Sequence, residues 1–173
     1  MDTRGGTFLN SEDLLNVIYP PQWVAKILYL FISGAQNQDC SGIKTELIYF
    51  VIPIISIDLI REKLKHANSR SSFDSILEQQ IYDKRNCFIN FSSRVESFIK
   101  ITNFGLIQLG NEVELKFGDF ITASKPIKYN PSEYKDSRSF DDSDFFKASY
   151  YLGLIFAKED YKNIFLKFGV LVK

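Results

Sequence analysis

The sequence predicts a mostly α (α+β) fold, a helical domain with a small β-hairpin in a winged-helix-like unit. Three observations predict it. Apolar residues recur at helical spacing along most of the chain, punctuated by hydroxyl or acidic N-caps and glycines. One stretch, 112–117, instead alternates charged and apolar residues just after Gly110-Asn111. A length of 173 residues with 45% hydrophobic content suits one packed domain. The expected organisation over 1–173 is an N-terminal segment (1–20), a helical body with the winged unit (21–125), a polar loop (126–143) and C-terminal helices (144–173).

Ser11-Glu-Asp-Leu-Leu offers a hydroxyl cap and two first-turn acids, and Pro20-Pro21 stops that piece. Pro21 suits the first position of the next helix, where its missing N–H costs nothing. Trp23, Ile27, Leu30 and Phe31 follow at helical spacing, and Gly34 is placed as a C′ stop, so the spacing predicts a helix over 21–33. Residues 35–42 are polar and loop-like. Residues 43–50 fit either a helix or a buried strand, and Pro53 ends or kinks the run. Ile57, Leu59, Ile60 and Leu64 among charged residues predict an amphipathic helix. Ser72 is placed to cap another, carrying Phe73, Ile76, Leu77 and Gln80.

Ser93-Arg94-Val95-Glu96 fits a capping box. Val95, Phe98, Ile99 and Thr102 then share a helix face, and Gly105 reads as the stop. Leu106-Ile-Gln-Leu109 and 112–117 read as two strands around a type II′ Gly-Asn turn. Helix, stop and hairpin together are what make the unit winged-helix-like. The 112–117 strand has one wet face and is expected at a sheet edge open to a partner strand. The 126–143 loop lacks periodicity and is expected to be mobile until a partner orders it. Phe145, Ala148, Tyr151, Leu152, Ile155 and Phe156 predict a dense helix, and Tyr161, Ile164, Phe165 and Phe168 a last one closed by Gly169.

Balanced charge, 21 basic against 21 acidic residues, removes the strongest compositional case for nucleic-acid binding. Arg94, Lys100 and Lys116 are candidate weak nucleic-acid contacts, with Glu96, Glu112 and Glu114 lying among them. One His and two Cys cannot make the usual zinc site or a disulfide framework. The first ten residues lack a secretory h-region, so Cys40 and Cys87 are expected as reduced thiols in the cytoplasm. The apolar run 47–57 is too short to cross a membrane. Phosphate-loop, dinucleotide, His-x-x-x-His and Gly-x-Ser-x-Gly patterns are absent. Asp141, Asp142 and Asp144 have the composition of a cation site, but first-turn charge accounts for them. No catalytic residue, metal or cofactor is expected, and an enzyme is the least favoured class. Tyr150, Tyr151, Phe156, Tyr161 and Phe165 belong to an aromatic series larger than one helix stripe needs. Most of that series is core, and its surplus makes these five the candidate partner interface.

Four segments in order carry a family resemblance. They are Tyr19-Pro-Pro-Gln-Trp-Val-Ala-Lys-Ile-Leu; Ile48-Tyr-Phe-Val-Ile-Pro53-Ile-Ile; Ser93-Arg94-Val-Glu96 through Gly105-Leu-Ile; and Leu152-Gly153 through Lys158, then Ile164-Phe165 and Gly169-Val170. Through them the chain resembles the middle component of three-component ABC systems, encoded beside an SMC/Rad50-like ATPase in bacterial conflict loci that include Lamassu-type antiphage systems. The resemblance implies a non-catalytic adaptor between that ATPase and a nuclease or other effector, in antiphage or anti-plasmid defence. It further implies that DNA is met only through the complex. The alternative is a stand-alone winged-helix nucleic-acid-binding regulator.

Overall fold

The computed structural model describes residues 17–83, 87–134 and 142–170. In chain order the elements are α1 (Pro21–Gln38), β1 (Ile43–Lys44), a 3-10 segment (Thr45–Phe50), α2 (Val51–Ile55) and α3 (Asp58–Lys65). A π-helical segment (Asp74–Glu78) then runs into α4 (Gln79–Tyr82), followed by α5 (Phe91–Glu112), β2 (Leu115–Lys116) and β3 (Phe120–Ala123). A 3-10 turn (Pro131–Tyr134), α6 (Asp142–Phe156) and α7 (Tyr161–Lys167) complete it. The mostly helical class with a small antiparallel sheet is as the sequence predicts.

α1 begins with Pro21 in its first turn and packs chiefly against α5 and α6. It runs past Gly34, which is a contact point and not a stop. A Cβ on Gly34 would lie 2.0 Å from the carbonyl oxygen of Tyr150, and one on Gly153 would lie 2.0 Å from that of Phe31. The two helices therefore cross backbone against backbone. Buried Ser33, Ala35, Ala148 and Ser149 keep the seam narrow, and Ser149 Oγ donates to the Ile27 carbonyl across it at 2.6 Å.

α5 departs furthest from expectation. It continues for 22 residues through Gly105, Gly110 and Asn111, where a stop, a strand and a turn were predicted. Gly105 is again a packing glycine, since a Cβ there would meet Val24 Cγ1 at 2.2 Å. Gly110 costs about 1 kcal/mol of helix propensity, offset by burial of the adjoining Leu109 and of Ile101. The helix starts at Phe91 behind a left-handed Asn90 (φ 56°) with no side-chain cap, so Ser93 and Glu96 do not form a capping box.

The hairpin consequently forms later in the chain. β2 pairs with β3 through Leu115↔Ala123 and Lys116↔Thr122, and β1 adds antiparallel on the other side of β3, giving the order β1-β3-β2. The 112–117 stretch thus supplies an edge strand, as expected, but only two ladder residues. Beyond β1, Gln36 replaces a strand with its side chain. Its Nε2 donates to the Ala123 carbonyl at 3.1 Å and its Oε1 accepts the Ala123 N–H at 2.8 Å. The 43–50 ambiguity resolves as both a short strand and a 3-10 segment. Pro53 sits in the first turn of α2, where no helical N–H bond is lost.

Ser72 and Ser75 cap each other's N–H groups at the start of the π-helical segment. α7 is capped by Asp160, which accepts the Lys162 N–H at 2.7 Å, and ends at Gly169 with φ +66°. Between these elements the Phe168 ring meets those of Phe50, Phe73, Phe88, Phe91 and Phe156. The start of the polar loop is tied down. Ile127 N–H donates to Ser33 Oγ at 3.1 Å, Asn37 Nδ2 donates to the Ile127 carbonyl at 2.8 Å, and Tyr134 is buried. Residues 135–141 of that loop and the Ser11 cap lie outside the described residues. Among the described residues no helix is long and apolar enough to cross a membrane.

Two stability predictions follow from this packing. Gly153→Ala forces a methyl onto a carbonyl that cannot swing away, so it lowers unfolding free energy by about 2–3 kcal/mol and the thermal midpoint by roughly 5–10 °C. Thr102 Oγ1 is buried without a hydrogen-bond partner among the described residues. Thr102→Val therefore stabilises the fold by about 1 kcal/mol, measured as an upward shift of the urea midpoint at unchanged slope.

Candidate interaction surface

Because α5 is one continuous helix, its spacing sorts its residues cleanly. Ile101, Thr102, Gly105 and Leu109 turn into the core. Ile99, Asn103 and Ile107, four residues apart, form the opposite face with Phe104 beside them. Ile99, Phe104 and Ile107 are exposed large hydrophobics, Ile107 at 63%. Asn103 Oδ1 accepts a hydrogen bond from Tyr49 OH at 2.9 Å, which ties this face to the 3-10 segment. From that segment Thr45 Oγ1 donates to the Gly118 carbonyl at 2.7 Å and Thr45 N–H to the Asp119 carbonyl at 3.0 Å. These bonds set the hairpin tip beside the helix face. The tip exposes Phe117 (60%) and Phe120, and Tyr161 meets Phe120 edge-on at 6.4 Å. The outward face of α5 and the hairpin tip, each with exposed apolar side chains of the kind found at interaction sites, are thus tied to one another through the hydrogen bonds of 45–49.

The aromatic residues expected at a partner interface fall elsewhere. Phe156 (1% exposed), Phe165 (4%) and Tyr150 (8%) are core residues. Phe156 packs on Phe31 and Phe73, Phe165 on Phe50, and Tyr150 accepts a bond from Asn37 Nδ2 at 3.2 Å. α6 and α7 spend these three rings on the core of the chain itself. Tyr151 and Tyr161 are half-buried at separate places. Tyr151 sits with Tyr129 and Tyr150, and Tyr161 with Phe120 of the hairpin tip. Ile99, Phe104, Ile107, Phe117 and Phe120 carry exposed apolar area instead. Reading 91–112 as one helix is the signal that finds the first three.

Arg94, Lys100 and Lys116 are all exposed, but the fold does not gather them. Six residues separate Arg94 from Lys100, which places them on different sides of α5, and Lys116 stands on β2 next to Glu114.

The described residues contain no group of three or more His, Cys, Asp or Glu able to hold a metal ion. Asp142 accepts the Trp23 Nε1–H at 3.0 Å and Asp144 pairs with Lys65 at 2.9 Å, so both anchor α6; Asp141 lies outside the described residues. Burial pushes the Cys87 thiol up, which keeps it protonated and a poor nucleophile at neutral pH. His66 lines an open groove of about 370 Å3 with Leu59, Glu62, Lys63, Ser75 and Ile76.

The sequence model of the ABC-three component (ABC-3C) system Middle Component 3 matches residues 10–172. Comparison with curated proteins and with solved structures gave no match.

Burial raises the phenols of Tyr129, Tyr134 and Tyr150 above the ordinary tyrosine value. For Lys167 burial pulls the other way. The Asp74 hydrogen bond at 3.0 Å and the charges of Glu159, Asp74 and Glu78 outweigh it and hold the ammonium above its usual value. In both cases the folded chain holds protons that the unfolded chain releases. The stability they contribute is complete below the unfolded values, 10.0 for tyrosine and 10.5 for lysine, and is lost as pH rises through the higher folded ones. The urea midpoint should therefore fall as pH passes 10.0, and Tyr129→Phe and Lys167→Met should each flatten that fall.

Proposed function

Because the chain belongs to the Middle Component 3 family of ABC-three component systems, we propose that it is a non-catalytic adaptor that bridges the other two components. On this reading one partner is an SMC/Rad50-like ATPase and the other a nuclease or other effector, acting together in the cytoplasm in antiphage or anti-plasmid defence. The family match over nearly the whole chain carries the reading, and the outward face of α5 supplies a place for a partner. Covering that surface stabilises a complex at about 25 cal/mol per Å2 of apolar area, set against the loss of translational and rotational freedom on association. Phosphate contact by the isolated chain is weak on this reading, since Arg94, Lys100 and Lys116 stand apart with Glu96 and Glu114 beside them.

Co-expression with the products of the two neighbouring genes tests the proposal. Both should co-purify with the wild-type chain. Ile107→Asp should weaken capture of one of them by about tenfold or more, with the thermal midpoint unchanged because Ile107 is solvent-exposed. Failure of the wild-type chain to capture either product would sink the adaptor reading. Full capture by both Ile107→Asp and Phe104→Asp would remove the α5 face from it. Tight duplex binding by the isolated chain at physiological salt would favour the regulator.

A further inference from the structure

The outer edge of β2 is complementary to itself. Ser124 N–H donates to the Glu114 carbonyl at 2.9 Å, and the register pairs Leu115 with Ala123. Leu115 is therefore in a non-hydrogen-bonded pair with β3, while Glu114 and Lys116 turn their main-chain groups towards β3. By alternation, the N–H and C=O of Leu115 point away from the sheet, as do the Val113 carbonyl and the Phe117 N–H. β2 is the last strand of the order β1-β3-β2, so no described strand lies on that side. The backbone is already extended at Val113 (φ −134°, ψ 133°), which makes 113–117 a five-residue edge, about the usual length of a strand.

We propose that this edge pairs with the same edge of a second copy of the chain, antiparallel about a two-fold axis at Leu115. In that register Leu115 of each copy exchanges two main-chain hydrogen bonds with Leu115 of the other. The Phe117 N–H of each donates to the Val113 carbonyl of the other, whose own N–H is already spent on the Leu109 carbonyl at 2.8 Å. The side chains agree with the backbone. Glu114 of one copy faces Lys116 of the other, twice, on the solvent side, where both are exposed. Exposed Phe117 is covered by Val113 on the opposite side. Edge strands are ordinarily guarded by proline, bulges or unmatched charge. This one has no proline, and its one lysine is matched by its own glutamate only when the strand meets itself antiparallel. That pattern selects a second copy over an unrelated strand.

Sedimentation velocity on the full-length chain across a micromolar-to-millimolar series tests the proposal. The wild type should show a reversible monomer–dimer equilibrium. Lys116→Glu alone, and Glu114→Lys alone, set like charges opposite each other at both positions and should weaken the dimer about tenfold. An equimolar mixture of these two variants restores both opposite-charge pairs and should regain wild-type association as a heterodimer, which controls for misfolding of either. The double variant Glu114→Lys/Lys116→Glu should also regain it. A wild type that stays monomeric throughout the series overturns the proposal, as does a dimer indifferent to the two single variants or a mixture that fails to recover. Ile107 lies off this edge, so Ile107→Asp should leave the dimer intact; loss of the dimer in that variant would place the contact on α5 instead.

Discussion

Where α1 and α6 cross, the carbonyls of Phe31 and Tyr150 occupy the space that side chains at Gly153 and Gly34 would need. A reciprocal contact of this kind fixes two helices to each other along and around their axes, because sliding either one drives a neighbouring side chain into backbone. The Ser149 hydroxyl bond to Ile27 holds the same register by a directional interaction. α5 then settles on another side of α1, where Gly105 admits Val24. With α1 held on two sides by glycine-lined contacts, the rest of the chain has few ways to close. The sheet sits near the end of α1, where Gln36 supplies the hydrogen bonds of a missing strand residue. The Phe168 cluster fills the space between the 3-10 segment, α5, α6 and α7.

That arrangement decides which apolar residues are left over. α6 is buried on most sides, so its aromatic rings, and those α7 turns inward, become core. α5 has only one face against α1, and its full length leaves the far face wet. Ile99, Phe104 and Ile107 do not help the isolated fold by being exposed. Their cost is tolerable as single residues and conspicuous as three on the far side of one helix. The surface is therefore a consequence of how the body packs, located by asking which helix has an uncovered side.

Much of the body was legible from local pattern. The start of α1 at Pro21, the amphipathic α3, the bulk of α6, and α7 with its Gly169 stop all rest on periodicity and punctuation that neighbouring residues determine. Gly34 and Gly105 were misread because one letter serves two purposes. A glycine that ends a helix and a glycine that lets another backbone approach look alike in sequence, and only Tyr150 and Val24 distinguish them. Cutting α5 at Gly105 made Leu106–Leu109 resemble a strand and moved the hairpin upstream. The same cut hid the outward face, since Ile99 and Ile107 then fell in different elements. The capping box failed for a different reason: Asn90 takes a left-handed conformation and the helix starts at Phe91, so Ser92 and Ser93 already lie inside it.

The segments that carry the family resemblance can now be sorted by what their residues do. Pro21 starts α1, Trp23 bonds Asp142, Pro53 occupies a first turn, Gly105 and Gly153 admit neighbouring helices, and Gly169 ends α7. These are jobs of the scaffold, so the resemblance identifies chiefly a way of packing and says little about what is bound. Ile107, like Ile99 and Phe104 of the same segment, has no such job. It lies at the end of the Gly105-Leu-Ile run, is apolar, and projects into solvent from a helix whose other side makes the core. Neither helix propensity nor core packing asks for isoleucine there. A β-branched apolar residue at a wet helical position, in line with exposed Ile99 and beside exposed Phe104, leaves the outward face of α5 with apolar area that the scaffold itself does not use, whereas Tyr150, Phe156 and Phe165 are spent in the core.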